Sequence, residues 1–288
     1  MSTNNPRPTK AQRNASAREK AAQLRASQEA AQKRKSLMVK IGVLVAVVVV
    51  IALVVTLIVR NNATKISDTG ATPQGATAAG GILVTSPDSV GTKTVDSVDV
   101  TSLTAPTEQL DAAKPRDLIV ADKGDPINIT MYVDANCVHC ADFEATYGDQ
   151  IDNWLASGDV TVEYRNVGYL DGGSATNYSS RGANALACVA DVSPTAYMKF
   201  VKALWGHYPE GEMKNAELAQ MAIDNGADAS VKDCITSDKF RPFVQYATTA
   251  GQYDGVKGTP SIFIQGKELA LGTDDFPTKV EEAIKANK

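Results

Sequence analysis

Cys137 and Cys140 stand three positions apart in the run Asp134-Ala135-Asn136-Cys137-Val138-His139-Cys140, with one of the chain's two histidines between them. Two sulfurs at this spacing suit three chemistries: half of a metal site, a structural staple, or a pair that exchanges electrons with other proteins. A structural zinc site needs four ligands. The chain holds only two histidines and no second CxxC, which argues against a metal centre. A bridge between positions so close would constrain little chain, which argues against a staple. The redox reading is carried by the flanks.

Ile127 to Val133 alternates Ile, Ile, Met and Val with Asn, Thr and Tyr, a strand period, and Pro126 sits at its start. Beyond the cysteines, Phe143, Tyr147, Ile151, Trp154 and Leu155 recur at helical spacing. The pair therefore falls where a strand ends and a helix begins. The first turn of a helix leaves backbone N–H groups unpaired, and the macrodipole adds roughly half a positive charge there. Both favour thiolate at Cys137. A free cysteine ionises near pH ~8.5, and one at a helix mouth in a CxxC at ~3.5–7.5. His139 adds a hydrogen bond in the same turn. Cys137 is thus the expected nucleophile and Cys140, one turn in and more sheltered, the resolving thiol. A stabilised thiolate favours the reduced pair, so the disulfide becomes a strong oxidant.

The elements that position this pair follow in order. Arg116 to Ala121 is a short strand candidate, and Val160 to Val167 a further strand, giving a strand–helix–strand unit. Helical periods fill about 170–255. The chain then returns to strand at Ser261–Ile264, turns at Gln265-Gly266, and continues as Lys267–Leu271. A last amphipathic helix runs from about Asp275, with Phe276, Val280 and Ile284 on one face. The class is α/β.

The whole-chain charge of −4 conceals two unlike ends. Residues 1–40 carry ten Lys and Arg against two acids, and the rest carries 19 basic against 31 acidic residues. Between them, Ile41 to Val59 holds no charge. As a helix it would span ~28 Å, close to the ~30 Å hydrocarbon core of a bilayer. Lys33, Arg34, Lys35 and Lys40 crowd its N-terminal side, which puts the N-terminus in the cytoplasm and the remainder outside. The expected organisation is a basic cytoplasmic tail at 1–37, a transmembrane helix at 38–60 in contact with the lipid bilayer, a flexible Gly-, Ala- and Thr-rich linker at 61–90, and a catalytic domain at 91–288. The basic tail reads as a topology signal rather than a nucleic-acid site. All four cysteines would lie in a compartment where disulfides persist, with three pairings open to them.

The stretches "ITMYVDANCVHCADFEATYGDQI" and "VKGTPSIFIQGKEL", with the helical segment between them, resemble the DsbA-like thiol–disulfide oxidoreductases, over roughly residues 115–288. The resemblance implies a thioredoxin-like fold with an inserted helical domain. It implies a cis Thr259-Pro260 bond facing the CxxC, with the Thr259 backbone free to pair with a substrate strand. It also implies a second bridge, Cys188–Cys234, closing a 47-residue loop and stabilising by ~4 kcal/mol in the chain-entropy model. His139 occupies the position of the histidine in strongly oxidising members. Two departures stand out. Val138 replaces the proline that often follows the first cysteine, and Met131 replaces a buried acid that helps deprotonate the second. Asp134 and Glu163 are nearby acids in sequence. The implied function is extracytoplasmic oxidation of exported cysteine-containing proteins, with reoxidation by a membrane partner of the DsbB or vitamin-K-epoxide-reductase type. No cofactor beyond the Cys137–Cys140 disulfide is implied. The alternatives are a reductase or isomerase of the same fold, or a binding or chaperone module whose CVHC is only a bridge.

Overall fold

The computed structural model describes residues 65–288 apart from Gln109 and Asp111. The basic tail, the apolar span at 38–60 and the first residues of the linker lie outside the described residues. Among those described, no helix is long and apolar enough to cross a membrane.

The strands are β1 (Thr69–Ala71), β2 (Ile82–Ser86), β3 (Ser89–Val90), β4 (Ser97–Asp99), β5 (Ile127–Val133), β6 (Val160–Asn166), β7 (Ser261–Ile264) and β8 (Lys267–Glu268). Six of them form one sheet in the order β3-β2-β6-β5-β7-β8, and β1 pairs with β4 apart from it. β5 runs parallel to β6 and antiparallel to β7, so it lies at the centre of the sheet with its C-terminal end feeding the cysteines.

All seven residues of β5 are buried, although its sequence alternates as a half-exposed strand would. One face, with Ile127, Ile129, Met131 and Val133, packs into the main apolar core. The other face carries Asn128, Thr130 and Tyr132 into a buried polar layer. There Thr130 donates to Glu163 at 3.0 Å, and Arg165 pairs with Glu163 at 2.9 Å. Polar strand residues here mark a covered network, not solvent.

Helix α1 (Val138–Ser157) follows β5 and ends on Gly158, whose φ of 71° is the left-handed cap that glycine takes at least cost. It is clamped to the last helix, α7 (Phe276–Asn287), by aromatics: Phe143, Tyr147 and Trp154 meet Phe276 at ring-centroid distances of 4.9, 5.2 and 5.7 Å. Between β6 and β7 come α2 (Tyr178–Val192), α3 (Tyr197–Gly206), α4 (Asn215–Asp224), α5 (Val231–Thr236) and α6 (Arg241–Tyr253). A disulfide joins Cys188 on α2 to Cys234 on α5. Cys188 is fully buried, so the bridge ties the interior of this helical subdomain rather than its surface.

Three sequence expectations are corrected. The segment 61–90 is not a flexible linker over its described part: residues 66–288 form one unit, so the domain begins some 25 residues before position 91. Ile82, Leu83 and Val84 pair with Tyr164, Glu163 and Val162, and Ala76, Ile82 and Val84 are core residues. A three-residue apolar run among Gly, Ala and Thr gives too short a period to read, yet pairing with β6 is enough to recruit it. Arg116–Ala121 forms no strand. Instead the Arg116 and Asp117 carbonyls accept from Arg165, and Val120 is 62 % exposed. Lys267–Leu271 shrinks to the two residues of β8, after a Gln265-Gly266 turn whose φ values of 49° and 76° suit a tight hairpin.

Candidate active site

The turn between β5 and α1 delivers both sulfurs. Cys137 is the N-cap of α1, with extended backbone (φ −98°, ψ 119°) and no side-chain cap bond, so its sulfur is left facing the open first turn. Its carbonyl accepts the first helical bond, from Ala141 N–H at 3.1 Å. Both cysteines are free thiols here, 5 % and 3 % exposed.

The two sulfurs are driven in opposite directions. The Cys137 thiol is lowered to about 5, chiefly because Cys140 donates a hydrogen bond to it. Burial works against this. The Thr259 side chain and the backbone N–H groups of Cys140 and His139 add to the lowering. Those amides are the unpaired donors of a helix start. Cys140 is pushed far above the ordinary thiol range, first by burial and then by its bond to, and repulsion from, Cys137. One sulfur is a thiolate at neutral pH and the other holds its proton beside it.

Across the site, Thr259-Pro260 is a cis peptide, and the Thr259 carbonyl lies 3.2 Å from Cys137 Sγ, where it accepts a hydrogen bond from the sulfur in its thiol form. The sequence motif 122 residues downstream is thus brought onto the reactive sulfur. His139 is placed differently from the sequence expectation. Its side chain is 78 % exposed, with Nδ1 4.0 Å from Asp142, and it is the His139 backbone N–H that serves the Cys137 sulfur. The imidazole stands on the rim, between two grooves.

Cys137 lines one of the two grooves, and the second shares His139 and Thr259 with it. One, of about 770 Å³, is walled by Val138, Tyr169, Leu170, Tyr208, Val256 and Lys257. The other, of about 420 Å³, is walled by Phe143, Tyr147, Pro260 and Leu271. Val138, Leu170 and Leu271 are 43, 41 and 47 % exposed, which makes them three of the four large apolar side chains left open to solvent among the described residues. Exposed apolar side chains gathered in two grooves around the His139 and Thr259 rim of the reactive pair mark a binding surface. Sequence reasoning missed Tyr169, Leu170 and Leu271: a single leucine in a loop carries no pattern that distinguishes a groove wall from a stray surface residue.

Neither acid near the pair in sequence fills the place left by Met131, which is 1 % exposed in the apolar core. Glu163 is engaged by Arg165, Thr130 and Thr77 on the opposite side of β5. Asp134 is fully buried in the turn itself. Among the described residues no group of His, Cys, Asp or Glu is placed to hold a metal ion.

A lowered thiol has a pH signature. The stabilisation that thiolate gives to the reduced protein is complete above the ordinary thiol range and is lost as pH falls through about 5. Alkylation of the reduced protein by iodoacetamide at Cys137 is therefore expected to hold level from pH ~8 down to ~6 and to fall about tenfold per pH unit below ~5. A rate that instead climbs through pH ~8.5 would show an ordinary thiol.

A thioredoxin family model matches residues 115–286, more than half of the chain. Serine/threonine-protein kinase PknE of Mycobacterium tuberculosis is 32% identical over 120 residues, which is 39% of this chain and 21% of that one. The chain thus spans 21% of the length of the curated relatives it matches. Among solved structures, reduced DsbA from Mycobacterium tuberculosis is similar at 27% identity and a TM-score of 0.50, covering 60% of this chain and 95% of that one. MdbA, a thiol-disulfide oxidoreductase from Corynebacterium diphtheriae, shares the fold at 19% identity and a TM-score of 0.52, over 76% of this chain and 95% of its own. With β5, the CxxC at the mouth of α1, and the cis-proline strand β7 in this arrangement, the chain belongs to the thioredoxin family.

Proposed function

We propose that the protein is a thiol–disulfide oxidoreductase working as an oxidase, which introduces disulfides into exported cysteine-containing proteins on the outer side of the cytoplasmic membrane. The observation that carries this reading is the placement of Cys137 at the N-cap of α1 against the cis Thr259-Pro260 bond, with Cys140 buried behind it, which lowers the first sulfur to about 5 and raises the second. Each tenfold gain in thiolate stability favours the reduced pair by about 1.4 kcal/mol, or about 30 mV for two electrons.

The oxidised protein starts with a Cys137–Cys140 bond. A substrate thiolate attacks Cys137 Sγ, forming a mixed disulfide and expelling Cys140, which takes a proton. A second substrate thiolate then attacks the substrate sulfur of that bond. The substrate leaves with its disulfide, and Cys137 leaves as the stabilised thiolate. Two electrons pass from substrate to enzyme. The Thr259 backbone beside Cys137 and the apolar grooves suit an extended peptide lying across the sulfur. Anchoring through the apolar span at 38–60 and reoxidation by a membrane partner of the DsbB or vitamin-K-epoxide-reductase type belong to the same reading. It is supported by the basic N-terminal flank and the uncharged run from Ile41 to Val59.

Equilibration with glutathione buffers tests the direction. The Cys137–Cys140 pair is expected to remain reduced in buffers poised near −200 mV, where reductant dithiols of thioredoxin type are already oxidised. A midpoint near −270 mV would make the protein a reductant instead.

A further inference from the structure

Asp134 is a buried acid in contact with the machinery that the exchange steps above leave unused. It is fully buried, and among the described residues no Lys, Arg or His pairs with it. Its carboxylate lives on neutral donors. Oδ1 accepts from Asn136 N–H at 2.8 Å, and Oδ2 accepts from Leu170 N–H at 3.0 Å. The Ser179 hydroxyl, buried on α2, lies near it and makes no hydrogen bond. Its main chain reaches both reactive residues. The carbonyl accepts from Cys137 N–H at 3.1 Å and from the Trp205 indole at 3.1 Å, and its N–H serves the Cys140 sulfur. One residue thus touches the nucleophile's backbone, the resolving sulfur and the Leu170 wall of the groove.

The titratable groups facing it are few. Cys137 from the start of α1 repels its charge, and Tyr169 from the loop after β6 lies near as a neutral phenol. Cys140 is held as a thiol. Burial first, and the Cys137 sulfur last, raise the carboxyl to about 6 against the hydrogen bonds that favour its charge. Within the physiological range, then, the only charge nearby that changes during the reaction is that of Cys137: absent in the disulfide, present in the thiolate.

We propose that Asp134 is a positioning residue whose carboxylate couples the redox state of Cys137 to the Leu170 wall of the substrate groove. In the oxidised protein the carboxylate is charged and grips Leu170 N–H. On reduction, two protons leave the substrate thiols. One ends on Cys140, and the second is divided between solvent and Asp134, which the new Cys137 thiolate repels. A protonated Asp134 is a weaker acceptor for Leu170 N–H, so the wall is held less firmly once the substrate has been oxidised. Coupling of this kind is reciprocal: the amount by which reduction moves Asp134 equals the amount by which the Asp134 charge moves Cys137.

The inference rests on the thiol–disulfide reading, and the two fail differently. If the Cys137–Cys140 disulfide exchanges with no dithiol, that reading fails. If it exchanges and the measurement below is flat, only the Asp134 coupling fails. The primary test needs no variant: the carboxyl carbon resonance of Asp134 in the full-length protein, identified by its loss in Asp134→Asn, is titrated in oxidised and in reduced protein. The midpoint is expected to lie higher in the reduced protein. In reduced Asp134→Asn, Cys137 should ionise at lower pH, and the glutathione equilibrium should move toward the reduced pair at pH 7 by at least about threefold. Asp134→Glu, which restores the charge, should return both toward the original values. Equal Asp134 midpoints in the two redox states would overturn the coupling, as would an Asp134→Asn protein with lower stability but an unmoved Cys137.

Discussion

Replacing Cys140 by serine is expected to turn a passing exchange into a covalent capture. Cys140 is the group that would expel a bound substrate by attacking Cys137 in the reverse direction, and without its sulfur the mixed disulfide is released only where the substrate's own second thiolate can reach it. Incubated with a reduced, unfolded protein and a mild oxidant, Cys140→Ser should accumulate adducts through Cys137, visible on non-reducing gels and absent in the Cys137→Ser, Cys140→Ser double variant. Disulfide transfer to a dithiol peptide should fall to the uncatalysed background in Cys137→Ser and in Cys140→Ser alike. The choice of serine matters. The donor that contributes most to lowering Cys137 is the Cys140 thiol itself. A hydroxyl keeps a donor near that position, whereas Cys140→Ala removes it and leaves mainly the backbone amides and Thr259. Cys140→Ala should therefore alkylate at a higher midpoint than Cys140→Ser, and trap efficiently only at more alkaline pH. A structural bridge would give none of this: neither adducts nor a difference between the two replacements.

The distribution of what could be read from the chain has physical causes. Cys137 and Cys140 were legible because a CxxC between a strand period and a helical period is a local pattern, and the chemistry of a helix mouth follows from backbone geometry alone. Thr259-Pro260 was legible only through the family resemblance, since nothing local tells a proline before a strand that it will meet a sulfur 122 residues earlier. His139 reaches the Cys137 sulfur through its amide, a donor every residue has, while its imidazole stands on the rim, so the residue type alone does not locate the contact. β2 escaped notice because its apolar run is three residues long and its partner, β6, lies some 80 residues away. The buried face of β5 escaped for the converse reason: Asn128, Thr130 and Tyr132 look solvated until Glu163 and Arg165 are known to lie opposite them.

That hidden layer sets up the largest expected effect on stability. Arg165 is fully buried, and its guanidinium is completely engaged. Nε and Nη2 meet Glu163 at 3.0 and 2.9 Å, Nη1 donates to the Tyr132 hydroxyl at 2.7 Å, and Nη1 and Nη2 donate to the Arg116 and Asp117 carbonyls at 3.0 and 3.1 Å. Arg165→Met would strip Glu163 of its counter-charge in the interior and orphan two carbonyls and a hydroxyl. Breaking a buried pair on one side typically costs about 3–5 kcal/mol. In a domain of this size each of those kcal/mol lowers Tm by roughly 2–4 °C. Removing both charges together relieves the uncompensated carboxylate, so Glu163→Leu with Arg165→Met should be less destabilised than the sum of the single variants. If the double variant instead matched the sum, the pair would be two independent contacts rather than one network. Arg165 and Glu163 lie across from Tyr132 and Thr130, whereas Met131 and Val133 face the core beneath α1. The pH profile of Cys137 alkylation should therefore stay in place in Arg165→Met while the melting temperature falls. The sheet's polar layer holds the strand that presents the sulfur, and the helix mouth, not that layer, makes the sulfur acidic.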